Sequence, residues 1–356
     1  MWSDLPLTVR YVLSFVIALA GAWALTPIAA RLAHRHGFVD EPGGIHLHSE
    51  ATPTLGGIAI AAVFIVVGLI VGGADGALIT VLAAGTMLAV VGMIDDRVSL
   101  SPWLRLDLEA AAAVALWGAG VRAGVLGVTW FDLPLTILWV LAVVNAFNLI
   151  DNHDGIATVV AALSAAGIAL IAGDSGYFLV TSFSLAVSGA CLGFFLHNKP
   201  PATIFLGDAG SMFLGFLVAS LTLKVDLPVG GVWTRIAVAV LLVAVPLFDE
   251  SLVLLARLKE HRPIMAGSTD HSAHQLRDLG WSKRQVVVTI GGAQAACSLL
   301  AFAVARAGTA AVAWSALAAV GITWLLLLWT LLLKMPTPRR EPAGAIGTVG
   351  TVAGGK

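Results

Sequence analysis

Long apolar runs, each ended by a short polar stretch, dominate the chain. A helix needs about 20 apolar residues to cross a bilayer, and fewer where helices pack tightly. Such runs lie at Tyr11–Ala30, Gly56–Gly72, Gly76–Ile94, Leu106–Gly120, Leu133–Ile150, Gly155–Ala172, Tyr177–Leu196, Ser211–Leu223, Val232–Leu255, Val286–Ala305 and Thr309–Leu333. These eleven segments predict an all-α, polytopic membrane protein of about 10–11 transmembrane helices. Leu106–Gly120 and Ser211–Leu223 are the short ones. An odd count puts the termini on opposite sides. With the N-terminus outside, only Arg10, Arg122, Lys224, Arg235 and Arg306 of the 20 Lys and Arg face outward. The excess of positive residues on the other side favours N-out, C-in. Residues 1–335 are expected to form one transmembrane domain. The Pro-, Gly- and Thr-rich stretch Pro336–Lys356 is expected to be a disordered cytoplasmic tail.

Composition agrees with this pattern. The hydrophobic fraction is 58% and the charged fraction 12%, against about 25% charged in a soluble domain. The formal net charge of -1 gives no reason to expect a nucleic-acid partner. Cys191 and Cys297 each lie inside an apolar run, as packed thiols do. Met1–Pro6 lacks a basic n-region, so no cleavable signal is expected.

On this topology the polar clusters Asp40–Gly57, Asp95–Arg105, Asn145–Gly155, Asn198–Ser211 and Arg257–His274 share the cytoplasmic side. Acids and amides at membrane depth are costly unless they face water or a ligand, so such one-sidedness points to a site. Asp95 and Asp96 end a span in GMIDDR. Neighbours on a helix point about 100° apart, so their tasks should differ. Asn145, Asn148 and Asp151 recur at three-residue spacing in NAFNLIDNHDGIA and are neighbours on one helix surface. Asp154 and Gly155 lead into the next span.

FLGDAGSMFLGF reads as a loop-to-helix turn, with Gly207 and Gly210 allowing close backbone approach. Ser211 is expected to cap the helix that follows, whose free N–H groups favour an anion. Asp208 beside an anion makes sense with a hard cation between them, since Mg²⁺ takes one or two carboxylates and completes its shell with water and phosphate oxygens. The last cytoplasmic loop carries Arg257, His261, Arg262, Asp270, His271 and His274. His271 and His274 lack a third ligand at zinc spacing, and donors to a diphosphate fit them better.

Assembled in this order, the motifs resemble the polyprenyl-phosphate N-acetylhexosamine-1-phosphate transferases, a family that includes the phospho-MurNAc-pentapeptide transferases. The resemblance runs from about Asp40 to Leu276. It implies an Mg²⁺-dependent enzyme (Mn²⁺ substituting) at the inner (plasma) membrane that moves a sugar 1-phosphate from a UDP-sugar to a polyprenyl phosphate and releases UMP. Asp95, Asp96, Asp151 and Asp154 are implied as catalytic acids, and Asp208 with Asn148 as the metal site. Arg105, Asn145, Asn198, Gly207, Ser211, His271, His274 and His48 are implied as substrate-binding. Three positions depart from the family pattern: Ile45-His46 stands for an Arg-Lys pair, DNHDG for DGxDG, and Ala273 for the middle histidine of HxHH.

The implied donor is UDP-GlcNAc, although TPTLGG echoes the MurNAc-pentapeptide branch. The partners implied are the two substrates and membrane lipid, with dimerisation left open. A secondary transporter is the competing class. Transporter sites lie near the bilayer midplane, commonly between inverted repeats, whereas here the polar groups gather at helix ends and no repeat is visible.

Overall fold

The computed structural model describes residues 2, 4–40, 51–73, 75–225, 227, 230–263 and 270–334. His48, the Ile45-His46 departure and the tail from residue 336 lie outside the described residues. The chain is a multi-pass helical membrane protein. Its helices are α1 (Leu7–His36), α2 (Gly56–Gly72), α3 (Gly76–Val98), α4 (Pro102–Gly118), α5 (Thr129–Ile150), α6 (Ile156–Asp174), α7 (Phe178–Asn198), α8 (Gly207–Lys224), α9 (Val232–Leu242), α10 (Ala244–Lys259), α11 (Ser272–Asp278), α12 (Lys283–Ala307) and α13 (Ala310–Lys334). Among the described residues, seven helices are long and apolar enough to cross a membrane, or eight if the bent pair α9–α10 is one span. The other three of the eleven expected segments correspond to α2, α4 and α8, which are shorter helices of 17, 17 and 18 residues.

Shortness does not make α8 peripheral. Every residue from Ala209 to Thr222 is buried, as befits a helix apolar all round and enclosed by others. It packs against α2, α3 and α5, and small residues let those backbones come close. A Cβ on Gly92 of α3 would run into the backbone of Asp208 and Ala209, and one on Gly57 of α2 into Gly210. The turn before α8 is clamped as well. Phe205 N–H donates to the Pro53 carbonyl at 2.8 Å, and Gly56 and Gly57 N–H return bonds to Phe205 and Leu206 at 3.0 and 2.9 Å. Pro53 belongs to a two-residue strand, β2 (Thr52–Pro53), paired antiparallel with β1 (Val39–Asp40). TPTLGG is thus the seat of the α8 turn.

The expected single span Val232–Leu255 is broken instead: α9 and α10 meet at Val243 with a 74° bend. Pro246 in the first turn of α10 has no N–H to give to the Leu242 carbonyl. Buried Gln294 of α12 replaces it, donating Nε2–H to Leu242 O at 3.0 Å and accepting Val245 N–H at 3.3 Å. An apolar interior tolerates a broken helix only when the freed backbone groups are bonded in this way.

Candidate active site

The helices alternate in direction, so the end of α3, the start of α4, the end of α5 and the starts of α6, α8 and α12 come to one end of the bundle. At that end four elements meet around Arg105, near the start of α4. Its guanidinium donates to Asp95 Oδ2 at 2.6 Å and to Asn148 Oδ1 at 2.9 Å, and lies 3.7 Å from Asp208 Oδ2. Asn148 passes the network on, its Nδ2 donating to Asp208 Oδ1 at 2.7 Å and to Ser211 Oγ at 3.0 Å. One cation, two carboxylates and an amide from α3, α4, α5 and α8 thereby form a single connected unit.

The acidic pair divides as helical geometry requires. Asp95 is buried and fully engaged, since its other oxygen accepts the Leu100 N–H at 2.5 Å. Asp96 turns toward α8 and accepts the Asp208 N–H at 3.0 Å. A carboxylate there satisfies one of the unpaired donors at a helix start and complements its dipole. Gly207 makes this approach possible, with φ of +73° and its hydrogen facing Asp96 Oδ2. Ser211, expected to cap α8, lies inside the helix, which begins at Gly207 without a side-chain cap. Its hydroxyl serves Asn148 instead.

Asp151 follows the last turn of α5. Burial raises its pKa well above the usual carboxylate range, and the negative charges of Asp208, Asp96 and Asp154 push it the same way. A carboxyl so placed among three other acids is an arrangement that a cation relieves. Among the described residues no cluster of three or more His, Cys, Asp and Glu could hold a metal by itself. Asn148, implied as a metal ligand, gives its oxygen to Arg105; here it orients Asp208.

Asp154 has partners of its own. Its Oδ2 accepts from Lys283 Nζ at 3.0 Å and from Ala202 N–H at 3.3 Å, tying α6 to α12 and to the proline-rich turn. His153 and His274 are both held below the usual imidazole range, chiefly by burial, and each feels charged neighbours at this end: His153 feels Asp154 and His274, and His274 feels His271. The chain of neighbours therefore runs from Asp208 through Asp151, Asp154 and His153 to the histidine pair.

Two amides implied as substrate-binding point elsewhere. Asn198 is buried between α6 and the turn, donating to Ile204 O at 2.9 Å and accepting from Thr158 Oγ1 at 3.2 Å. Asn145 donates to Glu109 Oε2 at 2.6 Å. Asn198 is thus bonded through both ends of its amide, and Asn145 through its nitrogen. Sequence reasoning passed over three residues: Glu109, fully buried on α4; Lys283, which pairs Asp154 across the fold; and Asp249, fully buried on α10. For Glu109 and Asp249 a signal existed, an acid within an apolar run. Nothing local marks Lys283, because its partner is 129 residues away.

Residues 78–226 match the sequence profile of glycosyl transferase family 4. A Bacillus subtilis protein described as a "probable undecaprenyl-phosphate N-acetylglucosaminyl 1-phosphate transferase" is 31% identical, over 79% of this chain and 81% of its own. The decaprenyl-phosphate N-acetylglucosaminephosphotransferase of Mycobacterium tuberculosis is 30% identical, over 81% of this chain and 80% of its own. A phospho-N-acetylmuramoyl-pentapeptide-transferase of a Nostoc species is 29% identical, over 86% and 89%.

Proposed function

Because the chain belongs to glycosyl transferase family 4, we propose that it transfers N-acetylglucosamine 1-phosphate from a UDP-sugar to a polyprenyl phosphate at the inner face of the plasma membrane. The observation that carries this reading is the unit Asp95–Arg105–Asn148–Asp208, built from four helices at one end of the bundle. A soluble nucleotide sugar and a lipid phosphate can meet only at such an interface.

In the reaction an oxygen of the lipid phosphate attacks the β-phosphorus of the UDP-sugar. The bond from that phosphorus to the bridging oxygen breaks, UMP leaves, and the sugar ends on a lipid diphosphate. A lipid phosphate near neutral pH is largely ionised, so catalysis consists mainly of positioning and charge neutralisation. Arg105, held at two points, presents a fixed positive charge to phosphate oxygens. Asp96, the more open of the acidic pair, orients the attacking phosphate and takes up any remaining proton. Asp208, with Asp151 beside it, would hold Mg²⁺, which would supply charge neutralisation for the diphosphate and the departing UMP. Lys283 keeps Asp154 in place.

The test uses the full chain in detergent or nanodiscs with undecaprenyl phosphate, Mg²⁺ and a panel of UDP-sugars. UMP release should require the lipid, be highest with UDP-N-acetylglucosamine, and disappear when EDTA removes the metal. Equal release with and without lipid would overturn the reading. Preference for UDP-MurNAc-pentapeptide would keep the reaction and change the donor.

A further inference from the structure

We propose that Asp249 is a positioning residue for His271, fixing where the imidazole stands and which of its nitrogens the substrate meets. The inference rests on the transferase reading above and adds to it a residue outside every motif that suggested that reading.

Asp249 lies on α10, three residues beyond Pro246, and is 0% exposed. Its Oδ2 is 2.8 Å from His271 Nδ1. Its Oδ1 accepts the Ser272 N–H at 2.7 Å and the Ser272 hydroxyl at 2.6 Å. All three bonds land on the two residues that open α11. A buried carboxylate is costly unless its oxygens are bonded, and among the described residues this one is bonded by the element that carries the histidines.

Docking α11 could be the whole purpose, but the two bonds to Ser272 would suffice for that. The third bond does something docking does not require. An ionised carboxylate only accepts, so the nitrogen facing it must carry the hydrogen. Nδ1 is thereby committed, and Nε2 is left as the nitrogen available to substrate. A second group that sets the tautomer and orientation of a functional imidazole is a recurrent device. The His271 ring lies 5.9 Å from that of His274, and His274 in turn neighbours His153 and the Asp154–Lys283 pair. The fixed ring therefore belongs to the same end of the molecule as the acids.

Asp249→Asn separates the two purposes. Its side-chain oxygen can still accept both bonds from Ser272, while its NH₂ meets His271 Nδ1 and favours the opposite tautomer. Turnover of Asp249→Asn should fall by about 10- to 100-fold with thermal stability close to wild type. In a His271→Ala background the same change should cost less than about twofold, because its effect passes through the ring. Wild-type turnover in Asp249→Asn, or an equal loss in both backgrounds, would overturn the proposal. Nitrogen-15 spectra of histidine-labelled protein, with the His271 signal assigned by its absence in His271→Ala, read the tautomer without relying on turnover. They should show Nδ1 protonated in the wild type and the reverse in Asp249→Asn. An unprotonated Nδ1 in the wild type would also overturn it. If the wild type released no UMP, the proposed function would fail while the spectra still tested the Asp249–His271 bond.

Discussion

Asp208→Asn is expected to lower lipid-dependent UMP release by about 10³-fold, the scale seen when a group that stabilises developing charge is removed. The replacement is chosen to keep shape. An asparagine oxygen at this position still accepts the Asn148 Nδ2–H that now lies 2.7 Å from Asp208 Oδ1. Its backbone N–H still reaches Asp96, as Asp208 N does at 3.0 Å. What disappears is one negative charge, which repels Asp96 and Asp151 and is offset only in part by Arg105 at 3.7 Å. Relieving that repulsion should leave the melting temperature unchanged or raise it, since sites built of like charges trade stability for activity. Initial rates at saturating donor, together with a thermal melt of the same sample, check both halves. Activity within tenfold of wild type would mean that the Asp208 charge is not what the reaction uses.

Gly92→Ala should cost about 10²-fold in kcat/KM, although Gly92 touches no substrate. A Cβ there would overlap the Asp208 carbonyl and the Ala209 nitrogen. Both are backbone atoms, so no rotamer change can make room and α3 must draw away from α8. Asp95 and Asp96 travel with α3, while Asp208 stays with α8. Misplacing reacting groups by about 1 Å costs on the order of 10²-fold, and overpacking adds a stability loss of about 1–3 kcal/mol. Gly85→Ala is the matched control, two turns earlier on the same helix. The three atoms nearest its Cβ would be ring carbons of Phe213 and Phe216, at 3.1 to 3.4 Å. Rings can shift by tenths of an ångström, so activity should stay within about threefold of wild type. Equal losses in the two variants would show that the α3–α8 spacing at Asp208 has no special role.

Hydropathy located the helices because burial in lipid demands long apolar runs, and most observed boundaries fall within a few residues of the expected ones. It misread α9–α10 because apolarity is blind to direction: Val232–Leu255 is mostly apolar, with Arg235, Asp249 and Glu250 its charged residues, and only Pro246 marks the bend. The convergence of Asp95, Arg105, Asn148 and Asp208 was legible for a different reason. Each lies at a helix end, and alternating helices bring those ends together. Residue type alone could not say which way an amide turns. Asn145 and Asn148 sit one turn apart on α5, yet the first serves Glu109 and the second Asp208. That difference depends on α4, whose placement no local pattern records.

The bend held by Gln294 and Pro246 has a mechanical corollary. Asp249 is about 9 Å along the axis from Val243, where α9 and α10 meet, so straightening a 74° elbow would swing its carboxylate sideways by about 9 Å. The imidazole of His271 would lose its anchor through a lever whose pivot lies in another helix.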